Sequence, residues 1–267
     1  MKIFAVSDIH SFFTEFKQAL DEKGFEDNNP DHLLVICGDV FDRGPESVAM
    51  YHYLNNLSNV VLVRGNHEDL LKEMLIRGYG ERHDVSNGTV QTATHLLELL
   101  DFVPDNNYEM CKEVDKLITP FLDKYVNYFE TKNYIFVHGW IPCDTWENTD
   151  RPWYQRNRTF KYDPNWRDAN DVEWYSARWI NGMNAGYTST PKVLEPGKTI
   201  VCGHWHCSWG HHIKSIKTDN WISEFEEDAI WEPFEEEGIL AIDGCTAYTH
   251  KVNVVVLEDE LLEETKE

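Results

Sequence analysis

The chain has 267 residues, of which 42% are hydrophobic, and carries a formal net charge of −23 at pH 7. Such a negative charge disfavours binding to nucleic-acid polymers, and the apolar runs are too short to span a membrane. We expect one domain, residues 1–267, that contains a large insertion.

The first residues of the chain and its cysteines indicate the cellular compartment in which we expect the protein. The first residues have a strand pattern with no signal peptide ahead of it. The six cysteines form no CxxC pair and have no regular spacing. Cys37 and Cys202 end apolar runs, where a buried thiol behaves as a small hydrophobic side chain. We therefore expect a cytoplasmic protein in a reducing environment.

The N-terminal part alternates strand and helix patterns. Three apolar runs predict strands, and the segment after each has helical spacing with a glycine or proline at its boundary. This alternation predicts a largely parallel sheet with helices packed on it. The predicted strands are 2–7, 33–37 and 60–63, and the predicted helices are 12–23, 45–56 and 68–77.

A first insertion follows the third helix. Residues 83–126 contain two helical patterns, 88–102 and 110–126, and we expect a helical cap. Residues 127–137 then have the pattern of a β-hairpin.

A second insertion, residues 139–198, is rich in aromatic residues and predicted to be mostly irregular, with one helix near 171–183. We expect a lid or a packing element. Its tryptophans either pack in a core or form a stacking platform for nucleobases. They are Trp140, Trp146, Trp153, Trp166, Trp174 and Trp179.

The last third of the chain has strand composition again. Between the predicted strands lies an acidic segment, residues 224–237, which we interpret as a solvated loop or a lid that repels polyanions. The predicted strands are 211–217, 238–242, 246–249 and 251–257.

Five apolar runs end in residues that bind metals, and in open α/β sheets the ligands emerge at the carboxyl ends of strands. Oxygen and nitrogen donors without sulfur suit manganese, iron or zinc better than calcium or magnesium. They fill two sites if a carboxylate bridges them, and Asp39, after the middle strand, is the natural bridge. The candidates are Asp8, His10, Asp39, Asn66, His138 and His204, with His206 as the alternative to His204.

Three residues of these motifs are not expected to be metal ligands. His67 can serve as a general acid near neutral pH, and the Asp42 carboxylate can hold it oriented and charged. Arg43 supplies a fork of N–H donors for phosphate oxygens.

The motifs resemble those of the calcineurin-like metallophosphoesterases, in the branch that contains the Ser/Thr phosphoprotein phosphatases, and their style is similar to bacterial or phage members. The two central motifs match that family in full, whereas Ser7, Ser11 and Trp140 stand where it usually has glycine. The motifs are SDIHS at 7–11, GDVFDRG at 38–44, GNHE at 65–68, HGW at 138–140 and GHWH at 203–206.

The resemblance implies an α/β fold in which helices flank a β-sandwich core with an inserted cap. It also implies two divalent ions, manganese foremost with iron or zinc as alternatives. One ion would be held by Asp8, His10 and Asp39. The other would be held by Asp39, Asn66, His138 and His204. His67 and Asp42 would be the proton-donor pair, and the substrate phosphate would bind Arg43, Asn66 and Arg178.

Three functions compete. The first is hydrolysis of phosphomonoesters, with phosphoserine or phosphothreonine in proteins as substrate. The second is a symmetrical bis(5'-nucleosyl)-tetraphosphatase that uses the same site and places its bases on the aromatic insertion. The third is an inactive metal-binding scaffold, which has no need of His67, Asp42 and Arg43. The expected partner is thus a phosphorylated protein or a small phosphoester.

Overall fold

The computed structural model describes residues 1–100, 102–147, 158–218 and 220–262. Two β-sheets pack face to face at its centre. Strand β1 (Lys2–Val6) shows how: Ile3 and Ala5 lie in the cluster between the sheets, whereas Phe4 and Val6 face the helices. A β-sandwich core flanked by helices confirms the predicted fold class.

The first sheet has three parallel strands and one antiparallel edge strand. The parallel strands are the three predicted from the N-terminal apolar runs. In spatial order the strands are β11 (Val255–Glu258), β1, β2 (His32–Cys37) and β3 (Val60–Val63).

The second sheet has three parallel strands between two antiparallel edge strands. The prediction of a largely parallel sheet was therefore incomplete, because the sandwich consists of two mixed sheets. The spatial order is β4 (Phe129–Glu130), β5 (Tyr134–Phe136), β8 (Thr199–Cys202), β10 (Ile239–Ala241) and β9 (Phe234–Glu236); β6 (Cys143–Glu147) and β7 (Arg158–Tyr162) form a separate hairpin.

Helices cover the first sheet, and in the described part of the chain five of them share one hydrophobic cluster with its outer face, whereas the short helix Arg82–Asn87 buries Asp84 instead. The segment 83–126 packs within this layer, and its role as a cap remains a prediction. The helices are α1 (Phe13–Lys23), α2 (Ser47–Asn56), α3 (Asn66–Arg77), α4 (Arg82–Asn87), α5 (Thr89–Leu96) and α6 (Asn107–Leu122).

The aromatic insertion covers the outer face of the second sheet. Trp140, Trp166 and Trp174 are buried in one cluster with that face, so these tryptophans pack in a core. Trp153 lies outside the described residues. The helix predicted near 171–183 is present but shorter: α7 (Asp171–Ala177) ends six residues before position 183.

Two strand predictions in the last third were wrong. Residues 211–217 belong to helix α8 (Cys207–Lys217), in which Gly210 packs closely against Met183 and the Phe234 ring. Residues 246–249 form the short helix α9 (Thr246–Thr249). Short apolar segments do not distinguish strand from helix by themselves, and α8 packs against Phe234 of the second sheet. Of the predicted strand 251–257, only the part from Val255 pairs with β1.

None of the helices in the described part of the chain has the length and apolar character that crossing a membrane requires.

Candidate active site

The predicted donor residues converge at one edge of the sandwich, at the carboxyl ends of five strands. Asp8 and His10 follow β1, Asp39 follows β2, and Asn66 begins α3 directly after β3. His138 follows β5 and His204 follows β8, so the second sheet contributes to the same cluster. All of these side chains are buried except that of His204, which is partly exposed.

The loops that carry these residues have an uncommon backbone conformation. Seven residues of these loops have φ between +50° and +71°, a region that residues other than glycine enter at a cost of about 1–3 kcal/mol. Such strain concentrates at functional sites, because there the side-chain direction matters more than local stability. The seven are Asp8, His10, Ser11, Asp39, Asp42, Arg43 and His204.

Glu68 ties two of these loops together. Its buried carboxylate accepts hydrogen bonds from the backbone N–H groups of Asp39 (3.0 Å), Val40 (2.9 Å) and Gly65 (2.8 Å). A side chain at Gly38 would collide with the Gly65 backbone, so the loops approach more closely than any other residue permits. The position of Asp39 is thus fixed from α3.

The two carboxylate oxygens of Asp39 face different histidines. Oδ2 lies 3.9 Å from Nε2 of both His10 and His67. Oδ1 lies 3.4 Å from Nε2 of His138. Within the described residues, two groups of potential metal ligands meet at Asp39: His10–Asp39–His67, and Asp39–His138–His204. A carboxylate with this arrangement fits a bridge between two ions.

The hydrogen bonds of the histidines leave lone pairs directed at this cluster. His138 Nδ1 donates to the Cys37 carbonyl (2.8 Å), the tautomer that leaves a lone pair on Nε2, and Nε2 faces Asn66 Oδ1 at 2.8 Å. Two acceptors this close fit a shared cation. His10 Nδ1 likewise donates to the Phe41 carbonyl (3.0 Å), which directs its Nε2 inward. The residues present therefore suit metal ions.

Asp8 stands beside the first group. One carboxylate oxygen lies 4.0 Å from His10 Nε2, and the other accepts the backbone N–H of His204 at 2.9 Å. Asp8 thereby connects the loop after β1 to the loop after β8. The structure places His204, not His206, in the second ligand group, because His206 Nε2 contacts Glu224 Oε1 at 2.8 Å.

His67 and Asp42 form a buried pair. His67 Nδ1 donates to Asp42 Oδ2 at 2.7 Å, while its Nε2 faces the cluster. The carboxylate also accepts from the hydroxyls of Thr89 (2.7 Å) and Thr92 (2.8 Å) on α5. Sequence reasoning missed both threonines, since nothing local to them signals a contact with a residue almost fifty positions earlier.

The two candidate phosphate-binding arginines differ. Arg43 is exposed, and its guanidinium lies 2.7 Å from Nε2 of His10 and 3.1 Å from Nε2 of His67, so it lies over the cluster. Arg178 is buried and donates to Asp69 (2.5 Å) and Asn127 (3.0 Å). Arg43 therefore lies at the cluster, whereas Arg178 forms an ion pair with Asp69.

The electrostatics of the cluster follow from burial and charge. Burial and the nearby Asp39 carboxylate raise the pKa of Asp8 to about 8. Burial alone would raise the pKa of Asp39, but His138, His67 and His10 hold it well below its usual range. Burial alone would lower the pKa of His67, but Asp39 and Asp42 raise it above its ordinary value, as a general acid requires.

The model of the calcineurin-like phosphoesterase family matches residues 1–208. The chain belongs to this family.

The curated relatives match a smaller part of the chain. It is 36% identical over 87 residues to the symmetrical bis(5'-nucleosyl)-tetraphosphatase of Aromatoleum aromaticum, which covers 32% of this chain and 31% of that protein. It is 32% identical over 120 residues to the enzyme of that name from Nitrosospira multiformis, which covers 41% and 42%. The chain thus matches less than half the length of these relatives.

Solved structures share the fold. A protein serine/threonine phosphatase from Saccharomyces cerevisiae has a TM-score of 0.53 at 14% identity, with 100% of this chain and 82% of that chain covered. A cold-active protein tyrosine phosphatase has a TM-score of 0.50 at 14% identity, with 96% and 73% covered. At such identities the likeness establishes the fold alone.

Proposed function

We propose that this protein hydrolyses phosphomonoesters with two bound divalent ions, manganese foremost, and that its substrate is phosphoserine or phosphothreonine in proteins. One observation carries the proposal. The His67–Asp42 pair and the Arg43 guanidinium face the cluster that contains Asp39 and His10. A proton donor and a phosphate fork beside a two-ion cluster are the parts that this hydrolysis requires.

Each residue has a role in this proposal. The ions would be held by Asp8, His10 and Asp39 on one side, and by Asp39, Asn66, His138 and His204 on the other. When bound, they supply an activated water and a positive clamp for the phosphoryl oxygens.

The chain's own side chains supply the rest. Arg43 orients the phosphate through two parallel N–H donors, and Asn66 offers it an amide N–H. His67, protonated at Nε2 and held by Asp42 at Nδ1, donates its proton to the oxygen of the leaving serine or threonine. An alkoxide is a poor leaving group, so the proton donor matters most for this substrate.

Charge favours a substrate with one phosphate group. The net charge of −23 repels a tetraphosphate more strongly than a monoester. In the described part of the chain, Arg43 is the arginine that contacts the ligand histidines, whereas Arg178 is paired with Asp69. A single fork suits a single phosphoryl group. Arg178 would join it only after release from Asp69.

A second candidate is a symmetrical bis(5'-nucleosyl)-tetraphosphatase. The curated relatives carry this name, and they favour it despite their partial coverage. Trp179, partly exposed with its ring centroid 5.8 Å from that of His204, offers a surface for a base beside the cluster.

The test compares two substrates on manganese-loaded protein, with Asp39→Asn as the blank. We expect faster phosphate release from a phosphothreonine peptide than cleavage of diadenosine tetraphosphate. Faster cleavage of diadenosine tetraphosphate would overturn the proposed protein substrate and support the tetraphosphatase function. Turnover of neither above the blank would contradict both candidates.

A further inference from the structure

Five aromatic rings form a continuous surface beside the ligand cluster, which we call the aromatic platform. The loop after β8 contributes two rings, and the acidic segment and α9 contribute three. Neighbouring ring centroids lie 4.8–6.3 Å apart, within the usual range for aromatic contacts. The platform consists of Trp205, His206, Phe225, Trp231 and Tyr248.

The platform faces solvent. Trp205 is 38%, Phe225 48% and Tyr248 62% exposed. Single exposed aromatic residues need no explanation, but a contiguous exposed group of them marks an interaction surface. This group starts directly at the ligand cluster, because the Trp205 ring centroid lies 6.1 Å from that of the candidate ligand His204.

An acidic turn borders the platform. Glu224, Glu226, Glu227 and Asp228 flank Phe225, and the last three are exposed. The turn is well defined: Asp228 accepts from the backbone and hydroxyl of Ser223, and Ala229 N–H donates to the Glu226 carbonyl (3.0 Å). Negative charge beside aromatic faces is the combination that attracts a lysine or arginine side chain.

We propose that the aromatic platform and the acidic turn bind a lysine or arginine side chain of the substrate peptide, close in sequence to the phosphorylated residue. This inference rests on the proposed function and names its substrate class: phosphoserine or phosphothreonine peptides with a basic flank. An extended peptide advances about 3.3 Å per residue. A basic residue within roughly two to five positions of the phosphate therefore reaches the platform.

The same rings could stack on a nucleobase, but the charges around them favour the cation. A dinucleoside tetraphosphate carries more negative charge than a phosphomonoester, and the acidic turn beside the rings repels it. A basic side chain gains from both the acidic turn and the ring faces. Charge complementarity thus selects the peptide.

The experiment uses three phosphothreonine peptides of equal length, whose flanking positions are arginine, alanine or glutamate. We expect kcat/KM of the manganese-loaded protein to decrease in that order, by roughly tenfold from arginine to glutamate, mainly through KM. Glu226→Gln combined with Glu227→Gln should reduce the difference to about twofold, as should Phe225→Ala. Hydrolysis of p-nitrophenyl phosphate, which has no flank, should not change.

A matched control removes the same charge elsewhere. Glu235→Gln combined with Glu237→Gln, two exposed positions in β9 and the turn after it, should keep the full preference. Binding of the unphosphorylated arginine peptide to metal-free protein, measured by fluorescence anisotropy, should weaken in the platform variants and not in this control. That readout does not depend on catalysis.

The outcomes separate the two proposals. Equal kcat/KM for the three peptides would overturn this inference and leave the phosphopeptide function intact. Hydrolysis of p-nitrophenyl phosphate without hydrolysis of any peptide would contradict the protein substrate itself. A higher KM for diadenosine tetraphosphate in Phe225→Ala, with no change for the peptides, would show that the platform binds a nucleobase and not a basic side chain.

Discussion

At the scale of single residues, the candidate general acid depends on neighbours that do no chemistry. His67 is oriented by Asp42, and Asp42 in turn is held by the hydroxyls of Thr89 and Thr92. Thr92 Oγ1 also accepts the Asp42 backbone N–H at 3.0 Å, so one side chain fixes both the carboxylate and its backbone. Helix α5 thereby belongs to the site although it contributes no metal ligand.

The substitution Thr92→Val tests this support. It removes a donor from a buried carboxylate at nearly constant volume, so His67 should lose orientation. We expect roughly tenfold lower kcat for a phosphothreonine peptide, in line with the loss of other supporting hydrogen bonds. The effect on p-nitrophenyl phosphate should be much smaller, because its leaving group needs no proton.

The neighbouring Thr94→Val provides the control, since Thr94 is exposed on the same helix and donates to the Val90 carbonyl. It should leave both rates unchanged. An equal loss for both substrates in Thr92→Val would mean a general disturbance of the site and would argue against the positioning role.

At the scale of elements, one arginine connects the aromatic insertion to the second sheet. Arg167 donates to both oxygens of Glu130 on β4 (2.9 and 2.6 Å) and to Glu195 before β8 (2.9 Å). Glu195 also accepts from Tyr162 OH (2.6 Å) and Trp166 Nε1 (2.9 Å). The insertion is therefore held by a charged network as well as by its buried tryptophans.

The substitution Arg167→Ala should lower the free energy of unfolding by roughly 1–3 kcal/mol at pH 7, between the values for exposed and buried ion pairs. Urea unfolding at several pH values measures this. Lys161→Ala, at an exposed position on β7, is the control and should have little effect.

The difference in unfolding free energy between wild type and Arg167→Ala should depend on pH with a definite sign. Burial alone would raise the pKa values of Glu130 and Glu195, but their hydrogen bonds, chiefly from Arg167 and Tyr162, lower both below the ordinary value. A lowered pKa in the folded state stabilises the protein above the unfolded pKa of about 4.3. The difference between wild type and Arg167→Ala should stay constant above about pH 5 and shrink as the pH falls below about 4.5. A difference that grows towards acid pH would contradict the network.

At the scale of the whole molecule, the ligand cluster joins the two sheets. Asp8, His10 and Asp39 follow strands of the first sheet, whereas His138 and His204 follow strands of the second. Ions bound by both sets would connect the two halves of the sandwich. Metal binding should therefore stabilise the entire fold rather than one loop.

Manganese should raise the unfolding free energy by about 2.7 kcal/mol for each occupied site when its concentration is a hundred times the dissociation constant of that site. Thermal unfolding with manganese or with a chelator measures this. Asp39→Asn should abolish most of the stabilisation, because Asp39 takes part in both ligand groups. Asp144→Asn, at an exposed position, should retain it. Full stabilisation of Asp39→Asn would exclude the bridging role.

The net charge of −23 predicts a salt dependence that differs between substrates. Raising the ionic strength from about 0.01 to 0.15 M shortens the screening length from roughly 30 to 8 Å. We expect kcat/KM for a glutamate-rich phosphopeptide to rise severalfold over this range, and for an arginine-rich phosphopeptide to fall. A steady fall for both would show that repulsion by the whole molecule does not limit the reaction.

The sequence alone was sufficient for the features that local patterns encode. Each predicted ligand follows an apolar run, and the carboxyl ends of parallel strands meet at one edge, so the cluster around Asp39 could be anticipated from chain order. The N-terminal strands and the hairpin 127–137 were also predicted correctly, because their apolar runs and turn residues are local signals.

The tertiary structure decided what depends on contacts between distant segments. Residues 211–217 form a helix because they pack on β9, Arg178 pairs with Asp69 109 positions away, and Asp42 meets Thr92 from α5. The aromatic platform likewise unites three segments of the last third: the loop after β8, the acidic segment and α9. Hydrophobic periodicity reports which face of an element is buried but not what covers it, so these contacts became visible only in the folded chain.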